Sequence, residues 1–144
     1  MIWFGGQKPS LERLFEYNRD TLQGWLGMEP FECGDDFLTL RMPVDKRTHQ
    51  PFGRLHGGAS VALAETAASM AATHCVDPEK FVAVGVEINA NHVRPAYSGW
   101  VYGTARPETL GRTLQVWSIR IEDEEGRLVC ISRFTAAVIP IDRK

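Results

Sequence analysis

The chain has 144 residues, of which 44% are hydrophobic and 24% charged, and its formal net charge is -2. This balance is ordinary for a globular protein, and it excludes a nucleic acid or an anionic membrane bound through overall charge. Its three cysteines are widely spaced and its start lacks a basic and apolar leader, so we expect reduced thiols in a cytoplasmic protein of one domain, residues 1–144.

The first part of the chain predicts one short helix and two strands. Ser10 can cap a helix that starts at Leu11, since its hydroxyl can accept from a backbone N–H of the first turn. Residues 27–33 contain Pro30 and predict an edge strand. Residues 38–44 alternate apolar and polar side chains, which predicts a half-buried strand.

The longest helical pattern covers residues 57–73. It is rich in strong helix formers, contains no proline, and has Glu65 as its one charged residue. Because the pattern is apolar all round, we expect a central helix that is buried all round. Its short length, its hydroxyl side chains and Glu65 argue against a membrane span.

Four strand patterns follow the long helix after a break at residues 77–80. Short turns join them, which is typical of an antiparallel sheet. We therefore expect an α+β fold in which one curved antiparallel sheet wraps the long helix. The predicted strands are residues 81–88, 100–105, 114–121 and 127–139.

The long helix also contains the candidate chemistry. A lone carboxylate such as Glu65 either reaches an edge, pairs with a base, or acts in catalysis. Gly57 and Gly58 leave N–H groups at the positive helix end, which suits a developing oxyanion, and His56 stands directly before them. Ser69 shares a helix face with Glu65 and either bonds its own backbone or contacts what the carboxylate attacks.

Helix geometry limits how these groups can cooperate. Gly57 and Glu65 are eight residues apart, hence about 12 Å along the axis. A reacting carbonyl must lie within about 3 Å of both the oxyanion donor and the attacking group. If both residues act on one substrate, two chains must therefore share each site.

The other chemical residues give weaker signals. None of the four histidines has metal-ligand spacing, so we expect no metal site. His74 stands at the helix end and is interpreted as structural. Ser60, Ser69 and Cys75 are conceivable nucleophiles, but no G-x-S-x-G elbow is present.

Residues 50–65, QPFGRLHGGASVALAE, resemble the signature of hotdog-fold acyl-CoA thioesterases. They are similar in particular to the branch of the Arthrobacter-type 4-hydroxybenzoyl-CoA thioesterase. That branch includes the 1,4-dihydroxy-2-naphthoyl-CoA thioesterase and the proofreading thioesterase of enterobactin synthesis. The resemblance continues through residues 86–94 and 115–117 and covers nearly the whole chain.

The resemblance implies a catalytic role for five residues. Glu65 would be the nucleophile or the general base, and the sequence leaves both open. The Gly57 N–H would polarise the thioester carbonyl. Gln50 and His56 would align the thioester, and His56 could also assist the leaving thiol. Ser69 would position the water or the acyl group.

The same resemblance implies four residues that bind CoA. His92 and Arg94 lie where relatives contact the pantetheine and nucleotide arm. Arg112 and Thr113 follow Gly111 in a turn that could contact phosphates. Relatives often carry two adjacent basic residues in this turn, so Thr113 is a departure, and the resemblance supports a nucleotide contact here less strongly.

The implied reaction is hydrolysis of acyl-CoA thioesters, with aromatic acyl groups of the hydroxybenzoyl or dihydroxynaphthoyl type. No metal or redox cofactor is expected, since coenzyme A is part of the substrate. We expect a homodimer with composite sites, assembled as a homotetramer. The alternatives are a proofreading thioesterase for acyl groups on a carrier protein, a non-catalytic acyl-CoA-binding module, and a hotdog hydratase. The Asp–His pair that the hydratase branch uses is not found.

Overall fold

The structure is a computed structural model and describes residues 1–142. Its first half begins with a short 3-10 turn, and the Ser10 hydroxyl then caps the first helix by accepting from Arg13 N–H at 3.4 Å. The helix prediction after Ser10 is thus confirmed, and a second short helix, capped by Thr21, was not predicted. The elements of this half are α1 (Leu11–Glu16), α2 (Leu22–Trp25), β1 (Glu29–Cys33) and β2 (Leu38–Pro43).

The second half contains the long helix and four strands. The six strands form one sheet in the order β1-β2-β4-β5-β6-β3, and every neighbouring pair is antiparallel. The long helix packs against this sheet, which confirms the expected hotdog fold. These elements are α3 (Gly57–Thr73), β3 (Phe81–His92), β4 (Trp100–Leu110), β5 (Leu114–Asp123) and β6 (Leu128–Pro140).

Two strands, β3 and β4, extend four residues or more beyond their predicted ends, and β5 extends two. β4 continues beyond Ala105 through Pro107, because a register shift between Pro107 and Thr109 accommodates the proline within the ladder. β3 continues beyond Ile88, with each further residue paired to β6 as far as His92. This extension matters for the site, since it carries His92 towards the start of α3.

The expectation that the long helix is buried all round is wrong for the single chain. Burial along α3 alternates in pairs of residues, because the sheet covers only one side of the helix. The residues of the other side are intermediate or exposed, and they include Glu65 and Ser69. We call the first side the buried face and the second the open face. The buried face consists of Ala59, Ser60, Leu63, Ala64, Ala67, Ala68, Ala71 and Ala72.

Within residues 1–142, no helix combines the length and the apolar character that crossing a bilayer requires.

Candidate active site

The carboxylate of Glu65 lies above a glycine of the neighbouring strand. A Cβ built on Gly85 of β3 would lie 3.1 Å from Glu65 Oε1, so the carboxylate stands where a side chain would crowd it. Gly85 borders a bulge, since the pairing of β3 with β6 shifts between Gly85 and Glu87. Among residues 1–142, the Glu65 carboxylate has no hydrogen-bond or ion-pair partner. Pairing with a base among the described residues therefore does not explain Glu65.

Glu65 opens onto a groove of about 520 Å³ along the open face of α3. Gln23 of α2 lines this groove together with Gly58, Ser69 and Met70 of α3. The Ser69 hydroxyl has no hydrogen-bond partner within the described residues, although it is one helical turn from Glu65. The groove therefore presents a carboxylate and a hydroxyl side by side.

The start of α3 provides a free backbone donor. His56 is the N-cap, and its Nδ1 accepts from the Gly58 N–H at 2.8 Å. The Gly57 N–H has no acceptor in the described part of the chain. It therefore stays available at the positive end of a long helix, where an oxyanion is stabilised.

The same cap sets the tautomer of a neutral His56 ring. A ring nitrogen that accepts a hydrogen bond carries no proton, so Nδ1 is unprotonated. The proton of the neutral ring is then on Nε2, which can donate to a substrate atom. His56 is thus arranged as a hydrogen-bond donor beside Gly57.

Gln50 belongs to the loop that precedes α3. Its backbone N–H donates to the Arg54 carbonyl at 2.7 Å, and its Oε1 accepts from the Phe52 N–H. The His56 N–H donates to the Thr48 carbonyl at 2.7 Å, which ties the loop to the start of α3. Because its oxygen is engaged within the loop, Gln50 keeps its amide NH₂ for an incoming acceptor.

One chain does not bring all these groups together. Gly57 and Glu65 lie in the same uninterrupted helix, eight residues apart, and hence about 12 Å apart along its axis. A carbonyl that contacts Glu65 cannot also accept from the Gly57 N–H of the same chain.

His92 lies against the free end of α3. A Cβ built on Gly57 would lie 3.0 Å from His92 Nε2, so the ring borders the oxyanion donor. Arg94 follows two residues later and is exposed, with its backbone N–H donating to the Val129 carbonyl at 3.3 Å. The positions expected to contact the CoA arm therefore begin at the helix end where the thioester carbonyl would bind.

Arg112 and Thr113 lie at the opposite end of the sheet. The Thr113 carbonyl accepts from Val138, and Val138 pairs with Ala83 near the start of β3. His92 ends the same strand, nine residues beyond Ala83, which corresponds to about 30 Å. Arg112 and His92 are therefore too far apart within one chain to bind the same phosphate. A phosphate site that uses both would need a second chain.

His74 and Cys75, the remaining candidates, make contacts that suit a structural role. Nδ1 of His74 donates to the Met70 carbonyl at 2.7 Å at the end of α3, as the structural interpretation requires. Burial raises the pKa of Cys75 to about 12, so this group stays a thiol and is a poor nucleophile. The described cysteines are all free, and residues 1–142 contain no group of three or more His, Cys, Asp or Glu residues suited to a metal.

Sequence reasoning missed Gly85 and Gln23. An isolated glycine in an alternating strand can signal a bulge or a close approach, and this signal was present at Gly85. Gln23 gave no comparable signal, because its position in the groove depends on how α2 packs beside α3.

Comparison with known proteins places this geometry among thioester hydrolases. A family model described as "Thioesterase superfamily" matches residues 52–130. The 1,4-dihydroxy-2-naphthoyl-CoA hydrolase of Escherichia coli K12 is 50% identical over 139 residues, covering 96% of this chain and 100% of that protein. The proofreading thioesterase EntH of Cronobacter turicensis is 48% identical over 139 residues, covering 96% and 99%. A crystal structure of a mutant thioesterase from Pseudomonas aeruginosa superposes with a TM-score of 0.95 at 47% identity, covering 98% and 100%.

Proposed function

Because the chain belongs to the thioesterase superfamily and is a thioester hydrolase, we propose that it cleaves aromatic acyl-CoA thioesters to free acid and CoA. One observation carries the assignment of its site: the Glu65 carboxylate stands above Gly85 with no partner among residues 1–142, in a groove that also contains Ser69. The similarity to a 1,4-dihydroxy-2-naphthoyl-CoA hydrolase supports an aromatic acyl group.

Glu65 starts the reaction in either of two ways. As a general base it takes a proton from water while the water oxygen bonds to the thioester carbon. As a nucleophile it bonds to that carbon itself, and water then hydrolyses the resulting anhydride. In both routes the carbon–sulfur bond breaks, the sulfur leaves as a thiolate, and a proton converts it to CoA thiol.

The start of α3 stabilises the charge that develops during this attack. The Gly57 N–H donates to the carbonyl oxygen as it becomes an oxyanion, with the helix end adding favourable charge. The Nε2–H of His56 and the amide of Gln50 hold the thioester, and His56 can supply a proton to the leaving sulfur. Ser69 positions the water or the acyl group. His92 and Arg94 receive the pantetheine and nucleotide arm.

Two chains supply these groups to each site. An antiparallel pair of α3 helices across a two-fold axis would place Gly57 of one chain beside Glu65 of the other. The small side chains of the open face, Gly58 and Ala62, permit close approach. β3 is the sheet edge next to this face, and its Val86 is 58% exposed.

The proposed assembly is a homodimer with two composite sites, paired further into a homotetramer. Arg112 and Thr113 would reach CoA only through such assembly.

The reaction as proposed needs no metal or redox cofactor, and reduced thiols suit a cytoplasmic enzyme. The main alternative keeps the same chemistry but takes the acyl group from a carrier protein in a proofreading role, and the related EntH is named a proofreading thioesterase. A non-catalytic acyl-CoA-binding module is a second alternative, but it gives the unpartnered carboxylate of Glu65 no role.

One comparison of substrates tests this proposal. The same hydroxybenzoyl and dihydroxynaphthoyl groups are attached to CoA and to a pantetheinylated carrier protein, and kcat/KM is measured for each. We expect higher kcat/KM with CoA, and higher kcat/KM for the aromatic groups than for aliphatic acyl-CoAs. Preference for the carrier protein would favour the proofreading role. Tight binding of acyl-CoA without any turnover would favour the binding module.

A further inference from the structure

The groove at Glu65 continues into a second cavity at the far end of α3. This cavity has a volume of about 830 Å³ and lies between the N-terminal segment and the last turns of α3. Gln23, Ser69 and Met70 line both spaces. An acyl group whose thioester is at Glu65 can therefore extend past Ser69 into this cavity.

The cavity is positively charged although the protein as a whole carries a net charge of -2. Lys8 and Arg13 line it, and no Asp or Glu is among the described residues that do so. Lys8 is already paired with Asp35 at 3.0 Å. In the part of the chain that the structure describes, the Arg13 guanidinium makes no ion pair and no hydrogen bond. Among the described residues that line the cavity, Arg13 is therefore the cation left to bind a ligand.

The distance between this cavity and Glu65 determines which part of the acyl group contacts Arg13. Thr73 lines the cavity and is eight residues beyond Glu65, which is about 12 Å along the helix axis. Two helical turns thus separate the reacting carbonyl from the positive end. A group that binds there is at the far end of the acyl chain, away from the thioester.

On the basis of the proposed function, we infer that Arg13 is a specificity-determining residue that selects acyl groups with an anionic oxygen group at the far end. A guanidinium pairs well with a carboxylate through charge-assisted hydrogen bonds. Within each class of acyl group, thioesters with a distal carboxylate are therefore better substrates than neutral ones of equal length.

Matched pairs of substrates test this inference. Suberoyl-CoA is compared with octanoyl-CoA, and 6-carboxy-2-naphthoyl-CoA with 2-naphthoyl-CoA, so that each pair differs only in its distal carboxylate. We expect the wild-type kcat/KM to favour the carboxylate by about tenfold, since the contact is partly exposed to water. Arg13→Gln should lower that ratio by about tenfold, mainly through KM, and Arg13→Lys should restore part of it.

Arg19→Gln is the matched control, because Arg19 is also an exposed arginine of the N-terminal segment but lies outside this cavity. It should keep the wild-type ratio. A wild-type ratio near one, or the same ratio in Arg13→Gln as in wild type, would overturn the inference while leaving the proposed function intact. If no substrate is hydrolysed, the proposed function fails. The preference for the distal carboxylate is then measured as the ratio of the dissociation constants of the two members of each pair. Equal binding of both members of a pair would then overturn the role of Arg13.

Discussion

On each face of α3, a glycine of the facing strand makes room for a side chain of the helix. On the buried face, Gly103 of β4 lets Leu63 approach the sheet, and a Cβ there would lie 3.1 Å from Leu63 Cγ. On the open face, Gly85 of β3 leaves the space beside Glu65, where a Cβ would again lie 3.1 Å from the nearest carboxylate oxygen. Gly103 thus serves packing alone, whereas Gly85 makes room both for the buried Phe134 ring and for a reactive group.

This difference predicts that fold and chemistry can be damaged separately. Leu63, Ala64 and Ala67 of the buried face are 0% exposed, so changes there should act on the free energy of unfolding. Glu65 and Ser69 of the open face border the groove and are only partly buried, so changes there should act on turnover.

The largest effect is expected for Glu65→Gln. The amide is similar in size to the carboxylate but can neither attack the thioester carbon nor take a proton from water. We expect kcat to fall by at least about a thousandfold, with little change in melting temperature or oligomeric state. Steady-state kinetics and thermal unfolding of the same preparation measure both. Near-normal kcat with a much lower melting temperature would give Glu65 a structural role.

Leu63→Ala is the opposite case on the buried face. It removes a fully buried side chain against β4, which should lower the free energy of unfolding by about 2–5 kcal/mol. Denaturant unfolding measures the loss. The folded fraction should keep kcat within a few-fold of wild type, and a kcat loss as large as that of Glu65→Gln would contradict the separation of the two faces.

Two alanine substitutions at the glycines compare the faces directly. Gly85→Ala places a methyl group against the Glu65 carboxylate and the Phe134 ring, so it should misplace the attacking oxygen. We expect kcat to fall by about 10- to 100-fold. Gly103→Ala is the matched control that crowds Leu63 instead, and its main effect should be on unfolding. If both variants reduce kcat equally, Gly85 has no special relation to the carboxylate.

A smaller effect is expected for Arg94→Ala, beyond the N-terminal end of the helix. The variant should raise KM for acyl-CoA several-fold more than it lowers kcat, because the lost contact is with the nucleotide phosphates. A short pantetheine thioester with the same acyl group lacks those phosphates and should show little change. Equal losses on the two substrates would place Arg94 outside the nucleotide site.

The parts of the fold that depend on local pattern could be predicted. The composition of residues 57–73 predicts α3, and the Ser10 hydroxyl predicts the start of α1. The four residues of α2 could not be found in this way, because they include Gly24 and are too short for a periodic signal. The predicted strand ends at Ala105, whereas β4 continues, because the bulge that accommodates Pro107 forms only through pairing with β5.

The site was predicted only as far as its motif extends. Residues 50–65 indicated the helix end and the carboxylate, and their resemblance supplied their roles. The space beside Glu65 depends on which residue of β3 crosses below it, and that is fixed by long-range pairing. The same pairing separates Arg112 from His92, which spacing along the chain could not reveal.

The central claim is that Glu65 of one chain acts with the Gly57 end of another, and hybrid dimers test it most directly. Glu65→Gln subunits are mixed with subunits that carry Gln50→Ala and His56→Ala, each inactive alone, and subunit exchange is confirmed by mass. We expect activity to reappear, at about half the wild-type value per hybrid dimer, because one of its two sites is intact. Complete exchange without any activity would mean that Glu65 works with the loop of its own chain and would contradict the composite site.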